Sequence, residues 1–182
     1  IGLSMPLTGE LSDVGVQWRT VVQMAVDDLN QEVKNYSIKA KFSLVIQDDK
    51  TSPTEVLPVV QTLAQAGIKV IIGPAASSQV KAIKSYVDSN KIVVISASST
   101  SPTLAIPNDY IFRAVGSDMG QAKALAALVR SQGVKNAIVF HRDDEYGIAF
   151  AAFFVSEFKT AGGSAIDMKY ASGQADYASE VA

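Results

Sequence analysis

The sequence predicts an α/β architecture in which parallel sheets are flanked by helices, and three observations carry that expectation. Apolar strand-like runs alternate with helical patterns along the whole chain. The runs Ile92-Val93-Val94-Ile95 and Ala137-Ile138-Val139-Phe140 are continuous and rich in β-branched residues, as strands covered on both faces require. At 182 residues, 48% of them hydrophobic and 19% charged, the chain is long and apolar enough for a sizeable core and one or two domains. Strands are expected at 1–5, 41–47, 69–73, 92–97, 110–114, 136–141 and 164–169, and helices near 15–34, 54–66, 77–89, 119–132, 147–161 and from 176.

Taken in order, the first strand runs into a long polar loop with glycines, Pro6 to Gly15. The first helix places Val14, Trp18, Val21, Val22, Ala25, Val26 and Leu29 on one face, with Asp27 and Asp28 opposite. Trp18 and Met24 read as core residues. The third strand is stopped by Gly73-Pro74. Ser77 and Ser78 then open a helix with Val80, Ile83, Tyr86 and Val87 on its buried face, one serine serving as N-cap. Unbonded N–H groups and the positive end of the helix dipole meet there, which suits an anion. From Ser98 to Pro102 the chain is a hydroxyl-rich loop, and Ile106-Pro107-Asn108-Asp109 is turn chemistry. A short strand, Tyr110 to Ala114, precedes Gly116-Ser117, after which Asp118 and Gln121 form a capping-box pattern and a new helix–strand–helix series begins. The domain boundary is therefore expected at about 115–117, dividing the chain into 1–115 and 116–182, with Gly116 and Ser117 as hinge. The chain begins inside a strand and ends on a helix of about two turns capped by Asp176, marginal by itself. A processed or trimmed N-terminus and the front part of a longer protein are the expectation.

Composition excludes several function classes. The formal net charge is −2 and no basic cluster stands out, so nucleic-acid binding has no electrostatic footprint. Without cysteine there is no disulfide framework, thiolate metal site or thiol nucleophile. No apolar run approaches the roughly 20 residues of a membrane-spanning helix. The phosphate-loop, dinucleotide and nucleophile-elbow signatures are missing. His141 is the single histidine; beside Asp143 and Asp144 but without a second His, it does not make a metal site. Asp48-Asp49 after strand two lacks the further Asp that a phosphoacceptor pocket needs after strand three, where Gly73 stands. Asn35-Tyr36-Ser37 matches a glycosylation acceptor by a triplet too short to carry weight. No catalysis, metal or cofactor is expected.

Ligands of open parallel sheets bind outside the carboxyl ends of the strands. Three such ends carry polar loops: the first after Met5, the second with Ser77 and Ser78, the third with Ser98, Ser99 and Thr100. Side by side, they would converge on neutral donors and acceptors with no cationic side chain in the loops.

These residues carry a family resemblance. The strand Ile1 to Met5 with Pro6-Leu7-Thr8-Gly9, Gln47-Asp48-Asp49, Ile71-Ile72-Gly73-Pro74 with its serines, Ser96 to Pro102, Phe112-Arg113, and Asp144-Glu145-Tyr146-Gly147 follow one another in that order. Together they resemble the type I periplasmic binding proteins, in the branch of the leucine/isoleucine/valine-binding components of ABC importers. The resemblance implies two α/β lobes, the second truncated here, that close about a hinge on a small molecule. It implies that hydroxyls at Ser77 and Thr100, with nearby backbone N–H groups, hold a ligand carboxylate, that Ser98 helps hold the ammonium, often through its backbone carbonyl, and that Ser78 and Ser99 are ligand-binding residues beside them. Val14 stands where the family often has an aromatic residue against the ligand side chain, so stacking surface is lost. Tyr146 matches an aromatic that closes from the second lobe. The implied function is capture of an amino acid, branched-chain-like, or a similar small carboxylate for the membrane permease of an ABC importer. The implied location is periplasmic or extracellular, either free or lipid-anchored. The alternative is a ligand-sensing regulatory or receptor domain of the same fold.

Overall fold

The computed structural model describes residues 1–174 and 176–181. In chain order the elements are β1 (Gly2–Met5), α1 (Ser12–Asn35), β2 (Val45–Asp48), α2 (Val56–Gln65), β3 (Val70–Ile72), α3 (Ser77–Asn90), β4 (Val93–Ser96), β5 (Ile111–Arg113), α4 (Asp118–Ser131), β6 (Asn136–Arg142), α5 (Glu145–Thr160), β7 (Ser164–Tyr170) and α6 (Ala178–Val181), with a single 3₁₀ turn at Pro102–Leu104. Chain contacts divide these into two compact units, Ile1–Ser99 with Pro107–Val115, and Thr100–Ile106 with the chain from Gly116 onward. The α/β architecture and the parallel pairing are as expected.

The first unit holds a five-stranded sheet of order β2-β1-β3-β4-β5, every pair parallel. Because β2 lies on one side of β1 and β3 on the other, the winding reverses between β1 and β3. Right-handed crossovers then put α1 on one face, with α2 and α3, which pack on each other, on the opposite face. On the α2/α3 face the core is built from Val56, Val60 and Leu63 of α2 and Val80, Ile83 and Val87 of α3, all fully buried together with Ile71 and Val94 of the sheet. Each Å² of apolar surface removed from water in this layer stabilises the fold by about 25 cal/mol.

The other face is less completely covered. Leu3 of β1 is fully buried, but Ile95 and Phe112, on β4 and β5 in the same cross-strand row, stay exposed. Along α1 only Gly15, Val26 and Val33 are buried. Met24 is 61% exposed and Val21 likewise, so Met24 is not the core residue that its helical spacing suggested. The physical reason is that Met24 lies on the side of α1 turned away from the stripe of Gly15, Val26 and Val33.

Three boundaries differ from expectation for local reasons. Helix α1 begins at Ser12 instead of 15, with Gly15 inside it; a Cβ there would stand 2.0 Å from the Pro6 carbonyl oxygen, so only glycine lets the helix start fold back on the loop. Strand β2 begins at Val45, not 41. The Asn30 side chain takes both backbone groups of Phe42, accepting from its N–H at 2.8 Å and donating to its carbonyl at 2.9 Å, which removes the need for a ladder there. The N-cap of α4 is Ser117, whose hydroxyl accepts from the Met119 N–H at 3.4 Å, and Asp118 is the first helical residue in place of the cap.

The second unit pairs β6 and β7 in parallel over seven positions, Asn136↔Ser164 through Arg142↔Tyr170. Helices α4 and α5 cover one face through Ala122, Ala126, Phe154 and Phe158, with Ala137, Val139 and Ala165 of the strands against them. The other face leaves Ile138 and Ile166 exposed. Asp176 accepts from the Ala178 N–H at 3.1 Å at the start of α6, while Ala182, the last residue of the expected second domain, lies outside the described residues.

Candidate functional site

The reversal between β1 and β3 makes their carboxyl ends the crevice where an open α/β sheet takes a ligand. The β1–α1 loop is tied down by one carboxylate. Asp48, the last residue of β2, accepts from the N–H groups of Leu7 (2.9 Å), Thr8 (3.1 Å) and Lys50 (2.9 Å) and from the Thr8 hydroxyl at 2.6 Å. Partial burial pushes its pKa up, but these hydrogen bonds outweigh that and hold it below the ordinary carboxylate value. The loop so fixed delivers Val14, half-buried, in the first turn of α1.

The β3–α3 connection is just as constrained. Gly73 has φ +92°, and a Cβ on it would meet the Ser4 carbonyl oxygen at 1.9 Å; the Gly73–Pro74 peptide is cis. Two serines from the end of β4 pin this loop from the neighbouring strand: the Ser96 hydroxyl donates to the Pro74 carbonyl at 2.7 Å, and the Ser98 hydroxyl donates to the Ala75 carbonyl at 2.9 Å. Helix α3 starts with Ala76 as N-cap, so neither serine caps it. Ser77 and Ser78 are its first and second residues; Ser77 is 2% exposed and Ser78 half-buried. The N–H groups of Gln79 and Val80 both bond the Ala76 carbonyl at 3.1 Å, and the positive end of the helix dipole at this turn is the general basis for anion attraction there. The Gln79 side-chain carbonyl takes the capping role, accepting from the Ala76 N–H at 3.1 Å.

Ser99 is fully buried, and its hydroxyl has no hydrogen-bond partner among the described residues. Its N–H donates to the Ser96 hydroxyl at 3.3 Å, and its carbonyl accepts from the Arg113 guanidinium at 3.3 Å. No cation lies within the loops themselves, but β5 brings one to them through Arg113.

Beside these serines the first unit has an apolar pocket of about 190 Å³, walled by Met5, Trp18, Val22, Gly73, Ala97 and Ser98 among others. It is smaller than the ~300–1,000 Å³ of a whole ligand site and would take part of a small guest. Trp18 and Val22 belong to this wall, which the sequence reading missed by assigning Trp18 to the core. The signal was present in the spacing: Trp18 follows Val14 by four residues on the same helix face.

Thr100 and Tyr146 fall in the second unit. Thr100 is half-buried and its carbonyl accepts from the Asp118 N–H at 3.2 Å, while Thr103, beyond Ser101 and Pro102, donates to Glu145 at the start of α5. Asp118 is 1% exposed, and its Oδ2 has no hydrogen-bond partner among the described residues. Tyr146 is not a loop residue; it lies in the first turn of α5, whose cap is Asp144, accepting from the Gly147 N–H at 2.8 Å. Its ring is 40% exposed, 6.0 Å from that of Phe150, on a pocket of about 410 Å³ that also has Phe140, His141, Arg142 and Tyr170 in its walls. Burial pushes the Tyr146 hydroxyl up, the charges of Asp118 and Asp144 push it further, and Arg142 opposes them, so the hydroxyl is a proton donor at neutral pH. Arg142 is paired with Asp144. His141 Nε2 lies 2.9 Å from Asp167 Oδ1, and Nδ1 2.9 Å from the Arg142 carbonyl. Among the described residues no group of three His, Cys, Asp or Glu is assembled as for a metal ion, and no helix is long and apolar enough to cross a membrane.

Known proteins resemble this chain in sequence and in fold. An uncharacterized protein of Methanocaldococcus jannaschii is 34% identical over 92% of this chain and 42% of its own length. The Leu/Ile/Val-binding protein BraC3 of Rhizobium johnstonii is 26% identical over 89% of this chain and 44% of its own. The leucine binding protein LivK of Thermotoga maritima, at 23% identity, superposes with a TM-score of 0.89 over 99% of this chain and 51% of that structure, a likeness of fold. The chain thus spans about half the length of the relatives it matches. Residues 17–180 match the family described as "Receptor family ligand binding region". The fold is that of the type I periplasmic binding proteins, and the chain belongs to the receptor-family ligand-binding region family.

Proposed function

We propose that this chain belongs to an exported, non-enzymatic solute-binding protein that captures an amino acid with an aliphatic side chain, or a similar small carboxylate, for an ABC importer. The observation that carries the reading is in the first unit: the serine-bearing first turn of α3 stands beside the apolar pocket of about 190 Å³ that Trp18 and Ser98 wall. A guest with a carboxylate and a compact apolar body matches that pair of features. Ser77, Ser78, Ser99 and Thr100 would supply neutral donors to the carboxylate, and Ser98 would help hold the ammonium. Val14 would frame an aliphatic group, and Tyr146 would contribute from α5. Capture would be by closure about Gly116 and Ser117, the ligand favouring whichever state it binds better. The names of relatives, among them a Leu/Ile/Val-binding protein, support the ligand class. A permease in the membrane and a periplasmic or extracellular location complete the proposal. A ligand-sensing receptor domain is the second reading, favoured by the family's own description.

The test is isothermal titration of the full-length gene product with each of the L-amino acids, followed by Ser77→Ala and Thr100→Ala with whichever binds. A charge-assisted hydrogen bond is worth about 1.5–3 kcal/mol, so each variant should weaken binding about tenfold or more. Unchanged affinity in both would remove these hydroxyls from the site.

A further inference from the structure

Behind the first turn of α3 lies a buried polar set that neither the serines nor the pocket accounts for. Asp49, immediately after β2, is fully buried. Its Oδ2 accepts from the Ser4 hydroxyl of β1 at 2.8 Å, and its Oδ1 accepts from the Thr51 N–H at 3.2 Å and from the Gln79 side-chain amide at 2.8 Å. Gln79 and Ser4 are also fully buried. The other end of the same Gln79 amide accepts from the Ala76 N–H at 3.1 Å. One planar group therefore bridges the end of β2 to the residue that begins α3, with both of its polar ends engaged.

We propose that Asp49 and Gln79 are positioning residues, a strut from the end of β2 that fixes where the first turn of α3, and with it Ser77 and Ser78, stands relative to the β1–β3 crevice. The inference rests on the proposed ligand role of that turn. Ala76 has no side chain able to cap, so the start of α3 is held by Gln79 and, through it, by Asp49 outside the helix. Burial gives the strut its rigidity: each group lacks water as a substitute partner, so breaking one bond strands its mate in an apolar surround. The chemistry is also directional. The Gln79 amide must donate towards Asp49 and accept from Ala76; a carboxylate at position 79 could still accept from Ala76 but would face Asp49 with a second set of lone pairs.

That directionality supplies the experiment, carried out on the full-length gene product with the L-amino acid that binds it most tightly. Gln79→Glu should weaken binding tenfold or more at neutral pH. Asp49→Asn should stay within about threefold of the parent, since an asparagine oxygen can still accept from Gln79 and Thr51 while its amide faces Ser4. Combining the two should recover part of the lost affinity, because the asparagine amide can donate to the new carboxylate while its oxygen accepts from Ser4, the Thr51 N–H alone losing its acceptor. Gln79→Met, which removes both bonds without adding charge, replaces Gln79→Glu should the latter fail to fold, and should weaken binding likewise. Parent-like affinity in Gln79→Glu or Gln79→Met, or no recovery in the double variant, overturns the proposal. Should the parent bind no amino acid, the functional reading fails separately. The strut is then decided by amide exchange across residues 76–80, which should accelerate in Gln79→Glu and recover in the double variant; unaltered exchange overturns it.

Discussion

At the end of β2, two adjacent carboxylates meet opposite surroundings. Asp48 is held low by four hydrogen bonds from the β1–α1 loop and its own turn, whereas burial pushes Asp49 up, with Gln79, Ser4 and Thr51 pulling back and the Asp48 charge adding to the rise. Their contributions to stability run in opposite directions with pH. The depressed group stabilises the fold above its unfolded pKa, and that contribution is lost as pH falls through the folded value. The raised group favours the fold below its unfolded pKa, and that contribution is lost as pH rises through the folded value. Asp49→Asn removes only the second. The melting temperature of this variant, measured against the parent, should improve as pH rises above the ordinary carboxylate value of about 4; a difference that stays flat or shrinks would mean that Asp49 ionises without cost. Both carboxylates were legible in the sequence as an acidic pair after strand two, but their division of labour was not, because it depends on Ser4 and Gln79, 45 and 30 residues away in the chain.

Among the elements, α1 and β2 illustrate how far periodicity reaches. The spacing of Val14, Trp18, Val21, Val22 and Val26 identifies a helix and one apolar face correctly, yet cannot tell how much of that face finds a partner. Only tertiary packing decides that Val26 is buried while Val21 is not. The late start of β2 has a comparable cause, since a side chain from α1 satisfies the Phe42 backbone that a strand would have used. Asn30→Ala should accordingly destabilise the chain by about 1 kcal/mol, as expected for two solvent-exposed hydrogen bonds, read as a lower urea midpoint with unchanged slope. A neutral outcome would mean that water replaces the clamp fully. Helix α3 starts at Ser77 as expected but is capped by Ala76 and not by a serine, whereas α4 starts one residue early because Ser117 caps in place of Asp118; Ser and Asp both cap well in isolation, and which residue does so depends on where the chain enters.

For the whole molecule, the winding of the five-stranded sheet was legible as strand and helix alternation, and the strand order places the crevice between β1 and β3. What alternation does not reveal is coverage. Both units leave an apolar sheet face open, at Ile95 and Phe112 in one and at Ile138 and Ile166 in the other, and α1 adds Val21 and Met24. Exposed apolar area of this kind marks surface that meets something other than water. The chain spans about half the length of the relatives it matches.

The chain carries one tryptophan, and it stands in the wall of the apolar pocket of the first unit. Trp18 is therefore a resident fluorophore at the place where a guest is proposed to dehydrate the protein. Adding the bound amino acid to the full-length gene product should shift its emission to shorter wavelength as water leaves the indole, saturating at the concentration that calorimetry gives. An emission spectrum that ignores a bound ligand would put the guest elsewhere.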